Sequence, residues 1–186
     1  MPKAQAQEHN LKIATFAGGC FWCMEPPYDK LEGVHKTIVG YIGGTKKDPT
    51  YQEVTTGTAG HAEAVEVHFD PNVVSYEKLV DTFWRNINPT TIDKQFADEG
   101  SQYRTAIFYH NEEQKRIAEA SKKRIEDSGK YKDPIVTQIV AASVFYPAEE
   151  YHQDYYMKSG IHYQMYRVGS GREGYLKKMW GEKDKK

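Results

Sequence analysis

Two cysteines, Cys20 and Cys23, are separated by Phe21 and Trp22 and preceded by Gly18 and Gly19. Thiols at this spacing suit either redox exchange or one half of a zinc site. Where a glycine turn opens a helix, Cys20 would meet unpaired backbone N–H groups and the positive end of the helix dipole. Both favour the thiolate, which is the nucleophilic form. The glycines let another backbone come close, and the two aromatics suit an apolar group such as a thioether methyl. On a helix, residues i and i+3 lie about 5–6 Å apart at Cβ, beyond the ~3.5–4.5 Å of a disulfide. A slightly opened first turn would therefore let Cys23 attack a sulfenic acid on Cys20 and form an internal disulfide. A zinc site needs four ligands, and His61, His68, His152 and His162, which would have to complete it, show no short paired spacing.

The elements that must carry these residues read as an α+β chain. Lys12 to Phe16 suits a strand, followed by the glycine turn and a helix from Phe21 to about Leu31 that Pro26 and Pro27 should shorten or interrupt. Val34 to Tyr41 and Ala62 to Phe69 read as strands, and Tyr76 to Ile87 carries a helical apolar stripe with Ser75 as N-cap. Tyr103 to Tyr109 is a strand, Asn111 caps a charged helix from Glu112 to Ser128, and Ile135 to Phe145 is extended. The order strand, helix, strand, strand, helix, strand predicts a ferredoxin-like split β-α-β core with an extra helix, an extra strand and long loops. Beyond Glu149 to Met157 regular structure is expected to fade, with the tail wrapping the surface.

With 186 residues, 39% of them hydrophobic, the chain is long enough for one catalytic domain with its own core. The first ten residues and the closing GEKDKK read as flexible tails. The 25 Lys plus Arg nearly balance the 26 Asp plus Glu, a formal charge of -1, so no global field points to nucleic acid or anionic lipid. MPKAQAQEHN lacks the apolar core of a signal peptide, and no apolar run approaches the ~20 residues of a membrane helix. A soluble, cytoplasmic monomer is expected. Two cysteines do not make a disulfide scaffold, and they suit a reducing compartment.

Four segments then carry a family resemblance in serial order: GGCFWCMEPPY, GYIGG with PTYQEVTTGTAGHAEAVEVHFDP, FADEGSQYRTAIFY, and AEEYHQDYY. Together they resemble the A-type peptide methionine-S-sulfoxide reductases, from about Thr15 to Tyr156. The resemblance implies that Cys20 attacks the sulfoxide sulfur and is left as a sulfenic acid, while Phe21 and Trp22 hold the methyl group. It implies Glu63 as the acid at the sulfoxide oxygen, Tyr51 and Tyr103 as hydroxyls aimed at that oxygen, and Asp98 as a residue shaping the site. A carboxyl kept neutral by an apolar pocket is what such a step requires. Without the family, Glu63 beside Val65 and Val67 reads equally as the solvent face of a strand. Glu149, Glu150, His152 and Asp154 are implied to pack near the site without recruiting a metal.

Many relatives keep resolving cysteines in a glycine-rich tail, whereas this chain has Gly169, Gly171 and Gly174 but no cysteine after Cys23. Either Cys23 resolves the sulfenic acid, or an external thiol reduces it directly. The implied reductant is thioredoxin or a similar thiol, with dithiothreitol as a substitute, and no organic cofactor or metal is implied. Two other readings stay open: a thiol–disulfide oxidoreductase using Cys20 and Cys23 on a thioredoxin-like fold, whose cis-proline strand is not apparent, and a small zinc-binding module.

Overall fold

A computed structural model describes residues 10–181. The expected tails fall mainly outside these residues. In chain order the strands are β1 (Lys12–Gly18), β2 (Val34–Ile42), β3 (Ala62–Phe69), β4 (Lys94–Gln95), β5 (Asp98–Glu99), β6 (Thr105–Tyr109), β7 (Gln138–Ala141) and β8 (Tyr146–Pro147). The helices are α1 (Phe21–Asp29), α2 (Tyr51–Thr55), α3 (Tyr76–Trp84), α4 (Glu112–Asp127), α5 (Tyr155–Lys158), α6 (Gly160–Gly169) and α7 (Arg172–Trp180).

Six strands form one sheet in the order β7-β6-β1-β3-β2-β8, and β4 and β5 form a separate pair. The inner four, β6-β1-β3-β2, are antiparallel neighbours. β1 and β2 therefore run parallel with β3 between them, which is the split β-α-β core the element order predicts. α4 is the extra helix, and it leads into β7, which lies parallel to β6.

Alternation along the strands decides what each face buries. Ala14 and Phe16 of β1 and Val65, Val67 and Phe69 of β3 point to the helical side, where they meet Met24 and Tyr28 of α1 and Leu79, Val80 and Phe83 of α3. Phe16 stacks between Tyr28 and Phe83 at ring separations of 5.2 and 5.5 Å. The opposite face is lined by Ala17, Ala62, Ala64 and Ala106. These small residues let the segment carrying Ala142 and Phe145 lie flat on the sheet, and at Gly40 a Cβ would strike the Tyr146 carbonyl oxygen.

The helix caps follow the sequence signals. Ser75 accepts a hydrogen bond from the Lys78 amide, and Asn111 accepts one from Gln114. Several boundaries move inward: Tyr103 ends a 3-10 turn instead of opening a strand, and only Gln138–Ala141 of the expected Ile135 to Phe145 run pairs in a sheet. α1 runs through Pro26 and Pro27 to Asp29. Proline has no N–H, so the carbonyls of Trp22 and Cys23 get no i+4 partner there, and the helix is kept by packing against β1, β2 and β3. The tail departs most from expectation: after a 3-10 turn at Glu150–His152 it forms α5, α6 and α7 in place of loops.

Candidate active site

The turn between β1 and α1 carries the thiols. Gly19 adopts φ +86, and a Cβ there would come within 2.5 Å of Gln95 and 2.9 Å of Arg172, so only glycine fits. Cys20 is the N-cap residue of α1 with extended backbone angles, and its carbonyl accepts from the Cys23 amide at 3.0 Å. This closes a tight i to i+3 first turn, not the opened one expected, and both thiols are free. Cys20 is 6% exposed and Cys23 is fully buried.

Glu63 arrives from β3. It lies on the same face as Val65 and Val67, and that face is covered by α1, so the carboxyl is 1% exposed and the solvent-face reading is excluded. Its Oε2 accepts the Phe21 amide N–H at 3.1 Å, which fixes the carboxyl one peptide away from Cys20. Burial lifts the Glu63 carboxyl to about 8 against the pull of that hydrogen bond, and nearby Asp98 and Cys23 add to the lift.

The thiols divide unexpectedly. Burial, the contact with Cys23 and the carboxyls of Glu63 and Asp98 push the Cys20 thiol well above its ordinary value. The hydrogen bond from Cys20, aided by the Arg172 and Arg167 guanidiniums, brings Cys23 down to about 7 against its burial. The helix N-terminus was expected to hold Cys20 as the thiolate. Its first amide, however, is already taken by Glu63, and two carboxyls face the sulfur.

Tyr51 opens α2, where Thr50 and Glu53 form a capping box, and its amide donates to Glu149 at 3.1 Å. Tyr103 ends the 3-10 turn before β6. Both hydroxyls are raised by burial and by the Glu63 carboxyl, so both are protonated donors near the same group. Asp98, on β5, is raised by burial and steadied by a short hydrogen bond from the Tyr166 hydroxyl of α6 and by Arg172.

The aromatic wall comes from three elements. Phe21 is buried against Tyr41 and His152 at 5.9 and 5.1 Å between ring centroids. The Trp22 indole stacks on Tyr155 at 3.9 Å, meets Tyr166 edge-on at 6.0 Å, and donates from Nε1 to His152 Nδ1 at 3.0 Å. That bond puts the imidazole proton on Nε2, which is buried with no partner among the described residues. Glu149 ties this wall together by accepting from the Tyr41 hydroxyl at 3.1 Å.

Cys20, Cys23, Glu63, Tyr51, Tyr103, Phe21, Trp22 and Asp98 thus gather around the β1–α1 turn, related by hydrogen bonds, ring contacts or charge. The group offers two free thiols, a carboxyl lifted by burial, two phenol donors and an apolar wall. That set can transfer an oxygen from a polarised S–O bond to a thiol. His61 bonds to Gly44 and Lys46, His68 to Glu66, and His162 to Tyr155. Among the described residues the one carboxylate, thiol or imidazole cluster with metal-ligand spacing is Glu25, Asp29 and Asp154, which contains neither cysteine.

A model of the family described as peptide methionine sulfoxide reductase matches residues 12–184. The chain belongs to that family. It is 56% identical over 172 residues to the peptide methionine sulfoxide reductase MsrA of Bacillus subtilis, covering 92% of this chain and 97% of that protein. Among solved structures it resembles reduced Mxr1 of Saccharomyces cerevisiae, with TM-score 0.78 and 34% identity over 84% of this chain and 90% of that one. Mxr1 in complex with Trx2 also matches, with TM-score 0.57 and 26% identity over 83% of this chain and 91% of that one. The enzyme is accordingly an oxidoreductase that reduces methionine sulfoxide, and the ferredoxin-like sheet excludes the thioredoxin-like rival.

Some of the cleft lay outside the sequence reading. His152 appeared there only as part of a charge-rich stretch, and Tyr155, Tyr166 and Arg172 were not singled out. Tyr166 is one of 14 tyrosines, and nothing local to it signals a partner 68 residues away. The i+3 spacing of Tyr163 and Tyr166 is the sequence signal available for an ordered tail.

Proposed function

We propose that one catalytic domain reduces the S epimer of methionine sulfoxide, free or in proteins, with Cys20 as nucleophile and Cys23 as resolving thiol. The observation that carries this reading is the Phe21 amide bond to Glu63, which sets a protonated carboxyl beside the nucleophile. Phe21 and Trp22 hold the methyl group, with Asp98 shaping the pocket. The Cys20 sulfur attacks the sulfoxide sulfur while Glu63, Tyr51 and Tyr103 supply hydrogen bonds and a proton to the oxygen. The oxygen passes to Cys20 as a sulfenic acid, the cysteine proton is returned to Glu63 or solvent, and the thioether leaves. Cys23 then bonds to the Cys20 sulfur, and the oxygen departs as water.

An external dithiol reopens the disulfide and is itself oxidised. The Mxr1 structure with Trx2 supports a thioredoxin-type reductant for this chain. No further cofactor enters the cycle, since both electrons come from thiols. The near-zero net charge supports a protein without a nucleic-acid partner, and no described helix is long and apolar enough to cross a membrane. A monomer in a reducing, cytoplasmic compartment fits a cycle that begins from two free thiols.

The test is turnover of separate S and R epimers of a blocked methionine sulfoxide with dithiothreitol. Reduction of S alone is the expected result, and reduction of R at a comparable rate would remove the stereochemical assignment.

A further inference from the structure

Trp22, Glu25 and Asp29 stand three and four residues apart on α1, so their side chains share one face of the helix. That face grips the tail in register. The Trp22 indole stacks on the Tyr155 ring at 3.9 Å with the planes 11° apart, and its N–H goes to His152. One turn on, the Glu25 carboxyl accepts the Asp154 amide N–H with both oxygens, at 3.0 and 3.3 Å. Asp29 accepts the Tyr156 hydroxyl at 2.7 Å. From β2, the Thr37 hydroxyl donates to Asp29 at 2.7 Å and reaches Glu25 at 3.4 Å.

The residue that Glu25 holds is a strained one. Asp154 adopts φ 54 and ψ 32, the left-handed region that L side chains rarely enter. Such a conformation persists only where its surroundings fix it. The Asp154 carbonyl accepts the Met157 and Lys158 amides at 2.9 and 3.0 Å and so starts α5, while its side chain makes no capping bond. The Asp154 amide is therefore held from the core side, by Glu25. Tyr155 is the next residue, so the direction the chain takes at Asp154 decides where its ring lies. Glu25 is itself fully buried and takes no part in the chemistry at Cys20.

We propose that Glu25 is a positioning residue for the methyl pocket: by fixing the left-handed turn at Asp154 it lays Tyr155 on Trp22 and so sets the indole that meets the substrate's methyl group. The inference rests on the reading that Trp22 holds that group. Trp22 is only partly buried, so its neighbours choose the orientation of its ring. Tyr155 covers one face, Tyr166 meets the indole edge-on at 6.0 Å, and His152 takes the N–H. Of these three, Tyr155 is the one that directly follows a left-handed residue, and Glu25 supplies the clamp. A methyl pocket grips the sulfoxide before attack as well as during it. Loosening its wall should therefore weaken binding and leave the rate of attack by Cys20 largely intact.

The experiment compares wild type, Glu25→Leu, Glu25→Gln, Tyr155→Leu, Trp22→Leu and the Glu25→Leu/Tyr155→Leu double variant as full chains. Each reduced protein is mixed with blocked methionine sulfoxide in the absence of reductant. Methionine released in the first turnover is read as a maximal rate and a half-saturation concentration. Leucine fills the site but cannot accept from Asp154, whereas glutamine still can. Glu25→Leu should raise half-saturation about two- to tenfold, the strength of one aromatic pair, with the maximal rate little changed. Glu25→Gln should restore it. Tyr155→Leu should give a similar rise, and the double variant no more than either, because Glu25 acts through Tyr155. An unchanged half-saturation in folded Glu25→Leu, a loss confined to the maximal rate, or full additivity in the double variant would overturn the proposal. If Glu25→Leu does not fold, Tyr155→Leu decides, and an unchanged half-saturation there overturns it. Should Trp22→Leu bind as wild type does, the pocket reading and this inference fall together. A rise in Trp22→Leu with none in Glu25→Leu removes the inference alone.

Discussion

Replacing Glu25 by glutamine should flatten the fall of stability with pH. Glu25 is fully buried on α1, where its carboxyl accepts the Asp154 amide at 3.0 Å and the Thr37 hydroxyl at 3.4 Å. Burial lifts it to about 8, with Asp154 and Asp29 adding to the lift, from an ordinary 4.5. The folded protein therefore keeps a proton that the unfolded chain loses, and stability falls as pH rises between those values. The slope approaches about 1.4 kcal/mol per pH unit, which integrates to about 2–3 kcal/mol between pH 5 and 7. Glutamine keeps an acceptor for Asp154 and can donate to Thr37, yet does not titrate in this range. Urea unfolding followed by tryptophan fluorescence at pH 5, 6 and 7, at constant ionic strength, measures the difference. Parallel stability curves for wild type and Glu25→Gln would refute the assignment of a native-state proton to this carboxyl.

The remaining expectations concern the cleft and the core. Glu63→Gln should slow the chemical step by about 10²-fold or more with little effect on binding. Because the Glu63 proton is held up to about 8, the wild-type single-turnover rate should fall as pH rises through that value, and this limb should vanish in the variant. Cys20→Ser should abolish turnover, whereas Cys23→Ser should release one equivalent of methionine without reductant; loss of that first equivalent would show that Cys23 does more than resolve. Phe83→Ala removes a fully buried ring stacked on Phe16 and should cost about 3–5 kcal/mol in chemical denaturation.

The strands were legible because each is half of an alternating pattern with one buried face: Ala14 and Phe16, then Val65, Val67 and Phe69. Cys20 was legible from its glycines and its partner thiol. Glu63 was ambiguous on local grounds, since alternation states which residues share a face but not whether a helix covers it; the family motifs decided in its favour, and α1 supplies the cover. The tail failed for a stated reason. Along α6 the aliphatic residues Ile161, Met165 and Val168 are exposed, while Tyr163 is buried and Arg167 lies half-buried, so the usual reading of apolar periodicity points away from the core. Arg172 is misread for a related reason, because an arginine after Gly171 signals a solvated helix start and gives no hint of the Gly18 carbonyl 154 residues away.

The sheet topology explains why so few residues suffice to build the cleft. β1 and β3 are antiparallel neighbours with Phe16 opposite Val65, so continuing the register brings Gly18 beside Glu63. The turn that follows one strand and the start of the other must therefore meet, and the first amide of α1 finds the carboxyl without any long connection. β2 completes the arrangement, with Tyr41 directly opposite Glu63. Three strands thus fix Cys20, Glu63 and one aromatic wall through backbone pairing. Asp98, Tyr166, His152 and Arg172, which surround these groups, come from the short β5 strand, a 3-10 turn and the tail helices laid over that frame. Substitution at Tyr166 should accordingly change the protonation of Asp98 before it changes the fold, whereas substitution at Gly19 or Phe16 should act on the frame itself.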